Sequence, residues 1–268
     1  MLLVASDVDG CLLDEDDYSF HAAHDALDEL RRRDVPLVLA SSKSRAEMEL
    51  LVRELGLATP FVVENGAAVV FPTGETLCWG IPRRRLVAAL AEMAAETGFA
   101  LRGFSSLSVD DVRRLTGLER AAARRAMQRE YDEPFLVPEG SDADARLERA
   151  AWVRGLRVSR GGRFHHLSGD ADKSRGLKAV LLRYADAGLR PTVVALGDAA
   201  NDRSLLAEAD RPVVVPRPGR SVDPLLARAL PGAECAPWPG PRGWNVAVLA
   251  VLAGQRLPRV SELLQGRP

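Results

Sequence analysis

Leu2-Leu3-Val4-Ala5-Ser6-Asp7-Val8-Asp9-Gly10 decides how this chain is read. Four apolar residues are too few for a helix, and the turn chemistry after them predicts a short strand that delivers two carboxylates to its end. Taken alone, Asp7 and Asp9 are explained more simply as solvated or turn-capping acids. The pair also has a chemistry. One carboxylate attacks an electrophilic phosphorus to give an aspartyl phosphate, and the other protonates the leaving oxygen and later activates water. What the rest of the chain brings to this strand end decides between the two.

Downstream, Ala22 to Arg33 has a helical pattern, and Val35 to Ala40 supplies a second short apolar run ending at Ser41-Ser42-Lys43. A helix resumes near Ser44. Phe61 to Val63 and Ala67 to Phe71 are strand candidates on either side of a Glu64-Asn65-Gly66 turn. Pro82 opens an Ala-rich helix reaching about Glu96, with Gly98 as its stop. A strand near Phe99 to Phe104, helices over Leu118 to Glu130 and Asp144 to Val153, and a hairpin from Leu156 to Leu167 follow. A helix over Asp172 to Asp186 then precedes a strand at Thr192 to Leu196 that runs into Gly197-Asp198, a strand at Pro212 to Val215 and a helix at Trp244 to Leu252. This alternation predicts an α/β, Rossmann-like core with a mostly parallel sheet, whose functional loops lie at the carboxyl ends of the strands. Residues 1–81 and 170–268 are expected to form that core, and residues 82–169 an α/β unit inserted into it.

Bulk properties exclude several other classes. The 268 residues are 47% hydrophobic and 27% charged, which is enough to fill and solvate a large core and argues against disorder. Cys11, Cys78 and Cys235 are too scattered for a disulfide framework or a zinc ribbon, and the four His residues assemble no zinc motif. A net charge of -1 gives no reason to expect a nucleic-acid partner. The amino-terminal apolar run meets aspartate too early for a signal peptide, and no later run spans a membrane, so a cytoplasmic protein without a membrane partner is expected.

Gly197-Asp198-Ala199-Ala200-Asn201-Asp202 is a second acidic loop at a strand end. Asp198 and Asp202, with Asp7 and a backbone carbonyl of the Asp9 loop, form an oxygen set suited to a hard cation such as Mg2+. Helix capping by Asn201 or Asp202 is the plainer account of that loop alone. Ser41 and Lys173 could orient a phosphoryl group and balance its charge; separately, the one could cap a helix and the other reach solvent. Together, DVDG at Asp7 to Gly10, the strand-end Ser41, Lys173 in DKSRG and GDAAND at Gly197 to Asp202 resemble the haloacid dehalogenase-like phosphatases over nearly the whole chain. The resemblance implies Asp7 as nucleophile, Asp9 as general acid and base, Ser41 and Lys173 as phosphoryl-orienting groups, a magnesium site organised by Asp198 and Asp202, and a Cof-like α/β cap as the insertion. Two departures from the family pattern keep the required chemistry: Ser41 stands where threonine is common, and Ser174-Arg175 separates Lys173 from Gly176.

Selectivity is expected from the insertion. Asp132 and Glu133 beside Tyr131 and Phe135 suit sugar hydroxyls or support of the lid, and Arg163 and His165 suit phosphate or carboxylate oxygens. Turn capping, solvent exposure and hairpin packing are the bland accounts of these four. Ser42, Lys43, Asn65 and Asn201 follow strand ends and are expected to border the same pocket. YDEPF, GRFHHLSG and the late GPRGWN give a narrower resemblance, to the mannosyl-3-phosphoglycerate phosphatases. That implies a phosphorylated glycoside as substrate and a mannosylglycerate product. Glucosyl-3-phosphoglycerate, sucrose phosphate and trehalose phosphate remain alternative substrates, a non-catalytic sugar-phosphate sensor remains an alternative class, and both monomer and homodimer stay open.

Overall fold

The computed structural model describes residues 1–138, 143–161 and 164–265. An eight-stranded sheet forms the core. Its strands are β1 (Leu2–Ser6), β2 (Leu37–Ala40), β3 (Phe61–Val63), β4 (Ala68–Val70) and β5 (Thr76–Cys78), then β10 (Thr192–Gly197), β11 (Arg211–Val214) and β12 (Glu234–Cys235). They lie in the order β12-β11-β10-β1-β2-β3-β4-β5. All neighbours from β12 to β3 are parallel, and β4 and β5 turn back antiparallel. β1 is central. The chain leaves it toward β2 on one side and returns on the other at β10, so the order reverses at the β1/β10 pair, where open α/β sheets place their ligands.

Both faces of this sheet are covered, which explains why its strands read as continuous apolar runs. Val4, Leu39, Val63, Val194 and Leu196 pack on one side against α1 (His24–Arg32), α2 (Arg45–Glu54) and, near the carboxyl end of the chain, the helix Gly240–Leu252, with Trp244 wholly buried. Leu3, Ala5, Val38, Val62 and Ala195 pack on the other against Leu177 and Val180 of the helix Lys173–Asp186 and against Leu205 and Leu206. Alternation along each strand, Leu3 and Ala5 against Val4, is what sends neighbouring residues to opposite layers.

Between β5 and the helix that begins at Lys173 lies a second sheet of β6 (Arg102–Gly103), β7 (Asp132–Leu136), β8 (Arg157–Gly161) and β9 (Phe164–Ser168), antiparallel in the order β6-β7-β9-β8. Helices α3 (Arg83–Thr97) and α6 (Asp144–Trp152) cover one of its faces through Leu86, Leu90, Met93 and Leu147, which enclose Phe135 and Leu167. Helices α4 (Val109–Thr116) and α5 (Arg120–Ala126) form a separate small cluster with Phe104, against which Phe164 packs. The helix expected over Leu118 to Glu130 is therefore only α5, and the DEPFL stretch, assigned no element from the sequence, forms β7. Pro134 is tolerated in β7 because it lies past the end of the two-residue β6, where the strand has a neighbour on one side only.

Candidate active site

Asp7 leaves β1 with its backbone N–H still bonded to the Leu196 carbonyl of β10, 2.9 Å away, so the first acid is tied directly to the sheet. Behind it, the Ser6 hydroxyl donates to the Asp7 carbonyl at 2.6 Å and accepts from the Trp244 indole N–H at 2.9 Å. All three residues are buried. The GPRGWN segment, read in the sequence only as a likeness to sugar-phosphate enzymes, thus stands behind the acid loop rather than in front of it. Nothing in its residue types marks that role; only the packing of Trp244 against the sheet does.

Asp7, Asp198 and Asp202 present carboxylate oxygens that all lie within 4.8 Å of one another. The fully buried Lys173 ammonium bridges them, 2.6 Å from Asp7 Oδ1 and 2.5 Å from Asp202 Oδ1. Asp202 Oδ2 accepts the backbone N–H groups of Asp198 and Ala199, both at 3.0 Å. Asp202 is therefore committed on both oxygens and contributes charge and orientation, while Asp7 and Asp198 hold the freer oxygens. Arg217 approaches Asp198 from the solvent side at 3.4 Å. Gly197 is required at the head of this loop, since a Cβ there would lie 2.5 Å from that of Asp202.

The electrostatics follow from three carboxylates sharing one ammonium. Burial and the Asp202 charge push the Asp7 carboxyl well above its usual range, against the opposing pull of Lys173. Burial, then Asp202, pushes Asp198 up to about 6. Burial alone would pull Lys173 down, but Asp202 and Asp7 overcome it and raise it. Excess negative charge raises Asp7, Asp198 and Lys173 alike. Such a pocket of hard oxygen donors fits a divalent cation, which would relieve the repulsion.

Ser41 ends β2 with its hydroxyl accepting the Lys43 N–H at 3.1 Å, and Asn65 donates its N–H to the Ser41 carbonyl at 3.0 Å. Ser44 then caps α2 in a reciprocal box with Glu47, which fixes where the helix begins after this loop. Lys43 lies 2.8 Å from the Asp9 carboxylate and over the Tyr18 ring. Asp9 therefore stands apart from the three-carboxylate group as a side chain. Asn201 donates to Asn65 at 3.3 Å, joining the second acidic loop to the β3–β4 turn.

That turn carries a residue the sequence reading passed over. Glu64 and Asn65 both have positive φ, 47° and 57°, a strained backbone for side chains of this kind. Gly66 follows because a Cβ there would fall 1.8 Å from the Asp172 carbonyl. The buried Glu64 carboxylate accepts the backbone N–H groups of Glu130 and Tyr131 at 2.9 and 2.7 Å, tying the inserted unit to the core. Burial pushes this carboxyl up to about 7 against the pull of Arg129 and the two N–H groups. Arg129 Nη1 reaches across as well, donating to the Ser42 carbonyl at 2.6 Å and to Asp132 at 2.9 Å, and Arg45 pairs with Glu130 at 2.9 Å.

The expected specificity residues of the insertion are dispersed. Glu133 is fully buried, held by Arg83 at 2.6 Å and the Ser105 N–H at 2.7 Å, contacts within the insertion itself. Asp132 is buried between Arg129 and His166, 2.7 Å from the latter. His165 packs on Phe135 and meets Asp144 at 3.0 Å, on the helix-covered face of the second sheet and away from the acids. Arg163 lies outside the described residues.

Acids at the carboxyl ends of two central parallel strands, bridged by one lysine, define a hydrolase built for transfer of an anionic group. The haloacid dehalogenase-like hydrolase family profile matches residues 4–131. Over 265 residues the chain is 34% identical to a glucosyl-3-phosphoglycerate/mannosyl-3-phosphoglycerate phosphatase of Methanococcoides burtonii, covering 93% of this chain and 97% of that one. Identity is also 34% over 265 residues to a relative of the same name from Persephonella marina, covering 94% and 97%. A crystal structure of a Thermoplasma acidophilum protein superposes with a TM-score of 0.70 at 17% identity, covering 92% of this chain and 96% of that one. The chain belongs to the haloacid dehalogenase-like hydrolases. Among the described residues, no helix is long and apolar enough to cross a membrane.

Proposed function

We propose that this protein is a Mg2+-dependent phosphatase that releases phosphate from glycosyl-3-phosphoglycerates, mannosyl and glucosyl alike, through an aspartyl-phosphate intermediate. The observation that carries the reading is the buried Asp7–Lys173–Asp202 bridge with Asp198 beside it. The substrate class rests on near-full-length likeness to two phosphatases of that dual name. Asp7, with one oxygen held by Lys173, offers the other to phosphorus. Asp9 protonates the departing glycerate oxygen and then takes the proton of the attacking water. Its contact with Lys43 aims it over the loop. Ser41 and Lys173 hold the phosphoryl oxygens. Magnesium, held by Asp7 and Asp198, would stabilise negative charge on the transferring group. Residues 82–169 act as the cap, seated on the core through Glu64, Arg129 and Arg45, and exclude water from the acids.

Phosphate release from a panel of mannosyl-3-phosphoglycerate, glucosyl-3-phosphoglycerate, sucrose phosphate and trehalose phosphate, with and without magnesium, tests the proposal. The two phosphoglycerates should lead the panel in kcat/KM and lose turnover on chelation. A clear preference for either disaccharide phosphate refutes the substrate class, and tight binding without phosphate release refutes catalysis.

A further inference from the structure

The two adjacent histidines of β9 face opposite sides of the inserted sheet, and their environments differ accordingly. His165 shares the side of Phe135, beneath α3 and α6. His166 shares the side of Phe164, Asp132 and Ser168, since residues two apart on a strand, and partners directly opposite, point the same way. Phe164 lines a cleft of about 740 Å3 together with Glu15, Asp16 and Tyr18 of the loop that follows Asp7–Gly10. The His166 face is therefore the one turned toward the core.

A chain of charged groups fixes the His166 ring. Its Nδ1 lies 2.7 Å from Asp132 Oδ2. The same oxygen accepts Arg129 Nη1 at 2.9 Å, and that nitrogen also donates to the Ser42 carbonyl at 2.6 Å. Asp132 and the Arg129 side chain are 1% and 8% exposed, so the link is shielded from water. Nearby carboxylates hold Arg129 cationic against its burial, and His166 and Arg129 hold Asp132 ionised against its own. An ionised Asp132 requires the Nδ1 proton, which leaves Nε2 as the free end of the ring. Among the described residues Nε2 has no partner.

We infer that His166, positioned by Asp132 and Arg129, is the residue of the insertion that recognises the carboxylate adjoining the phosphate ester of the substrate. The inference rests on the glycosyl-3-phosphoglycerate reading. The link ends at Ser42, one residue beyond Ser41, so the free Nε2 is held to the same loop that receives the phosphoryl group. In a 3-phosphoglycerate the carboxylate is two carbons from the ester-bearing carbon, and the aligned ring, taking a second proton on Nε2 as the carboxylate arrives, would donate Nε2–H to it while the phosphate sits at Asp7. Because Ser42 belongs to the core and His166 to the insertion, this contact forms only while the insertion is seated. Carboxylate recognition and closure are one event.

The test compares kcat/KM for mannosyl-3-phosphoglycerate with that for an analogue whose carboxylate is replaced by a hydroxymethyl group. Wild-type protein should prefer the carboxylate by about tenfold or more, the effect of one charge-assisted hydrogen bond. His166→Gln should bring the ratio close to one, chiefly through KM. Asp132→Asn, which keeps the ring but frees it, should lower the ratio partway. Retention of the wild-type ratio by both folded variants overturns the inference. A wild-type protein that hydrolyses neither glycosyl ester, while turning over another phosphate ester, overturns the substrate reading instead.

Discussion

Replacing Lys173 by methionine removes the one ammonium that neutralises the buried acids while keeping a side chain of similar length. Its Nζ bonds Asp7 Oδ1 at 2.6 Å and Asp202 Oδ1 at 2.5 Å, and the lysine side chain is 1% exposed, so no water replaces it in place. Removing one partner of a buried ion pair costs about 3–5 kcal/mol, because the other charge is left without compensation. Here two carboxylates lose the same partner while Asp198 stays beside them. In a chain of this size that cost lowers the melting temperature by roughly 10 °C. The deficit has a pH signature. Without the ammonium, the folded-state carboxyls bind protons above their ordinary pKa of about 3.9, so folding takes up protons and stability recovers as pH falls. Circular-dichroism melts in chelator from pH 8 to pH 5 should show the gap between variant and wild type narrowing toward acid. A Lys173→Met protein that melts within a degree or two of wild type at pH 8, or whose deficit is flat with pH, refutes the bridge as described.

Glu64→Gln should flatten part of the pH dependence of stability. The buried carboxyl titrates at about 7 in the fold against an ordinary 4.5, so its contribution is greatest below 4.5 and is lost as pH rises to 7. That difference corresponds to about 3 kcal/mol, and denaturant titrations from pH 4.5 to 8 should show the wild type losing about that much stability relative to Glu64→Gln as pH rises. Cation affinity should fall below pH 6, because Asp198 and Asp7 must release protons to bind a metal; calorimetric titration with Mg2+ at pH 5 and pH 7.5 reads it, and equal affinities contradict the carboxylate site. Trp244→Phe removes the N–H that holds Ser6 behind Asp7, at a cost of about 1–3 kcal/mol in stability. Its kcat should drop several-fold with KM little changed, and a change confined to KM would contradict a role behind the nucleophile.

The acid loops were legible because each follows a short apolar run and sits where a parallel sheet ends. Asp7, Lys173, Asp198 and Asp202 therefore needed only the strand order to be brought together. What the sequence concealed was set by partners far along the chain. Asp132 and Glu133 read as sugar-contacting or lid-supporting acids, and most of their partners are distant: Arg83 and Ser105 lie 50 and 28 residues from Glu133, and His166 lies 34 from Asp132. Their burial makes β7 a strand that its composition alone argues against. Helix α4 was missed because arginines and aspartates crowd it, although Ser108 and Asp111 form a capping box that marked its start. The choice of His165 over His166 was a question of strand parity. Leu167 is the apolar, inward residue of β9, and two-residue alternation from it places His165 inward and His166 outward. Glu64 carried no such signal, since its partners are backbone N–H groups that no residue type announces.

Rapid acid quenching during turnover of mannosyl-3-phosphoglycerate with magnesium, followed by peptide mapping, asks directly whether the phosphoryl group passes through the protein. The account predicts a phosphorylated peptide with the modification on Asp7, and neither that peptide nor phosphate release from a folded Asp7→Asn protein. Phosphate release by Asp7→Asn at near the wild-type rate would contradict it.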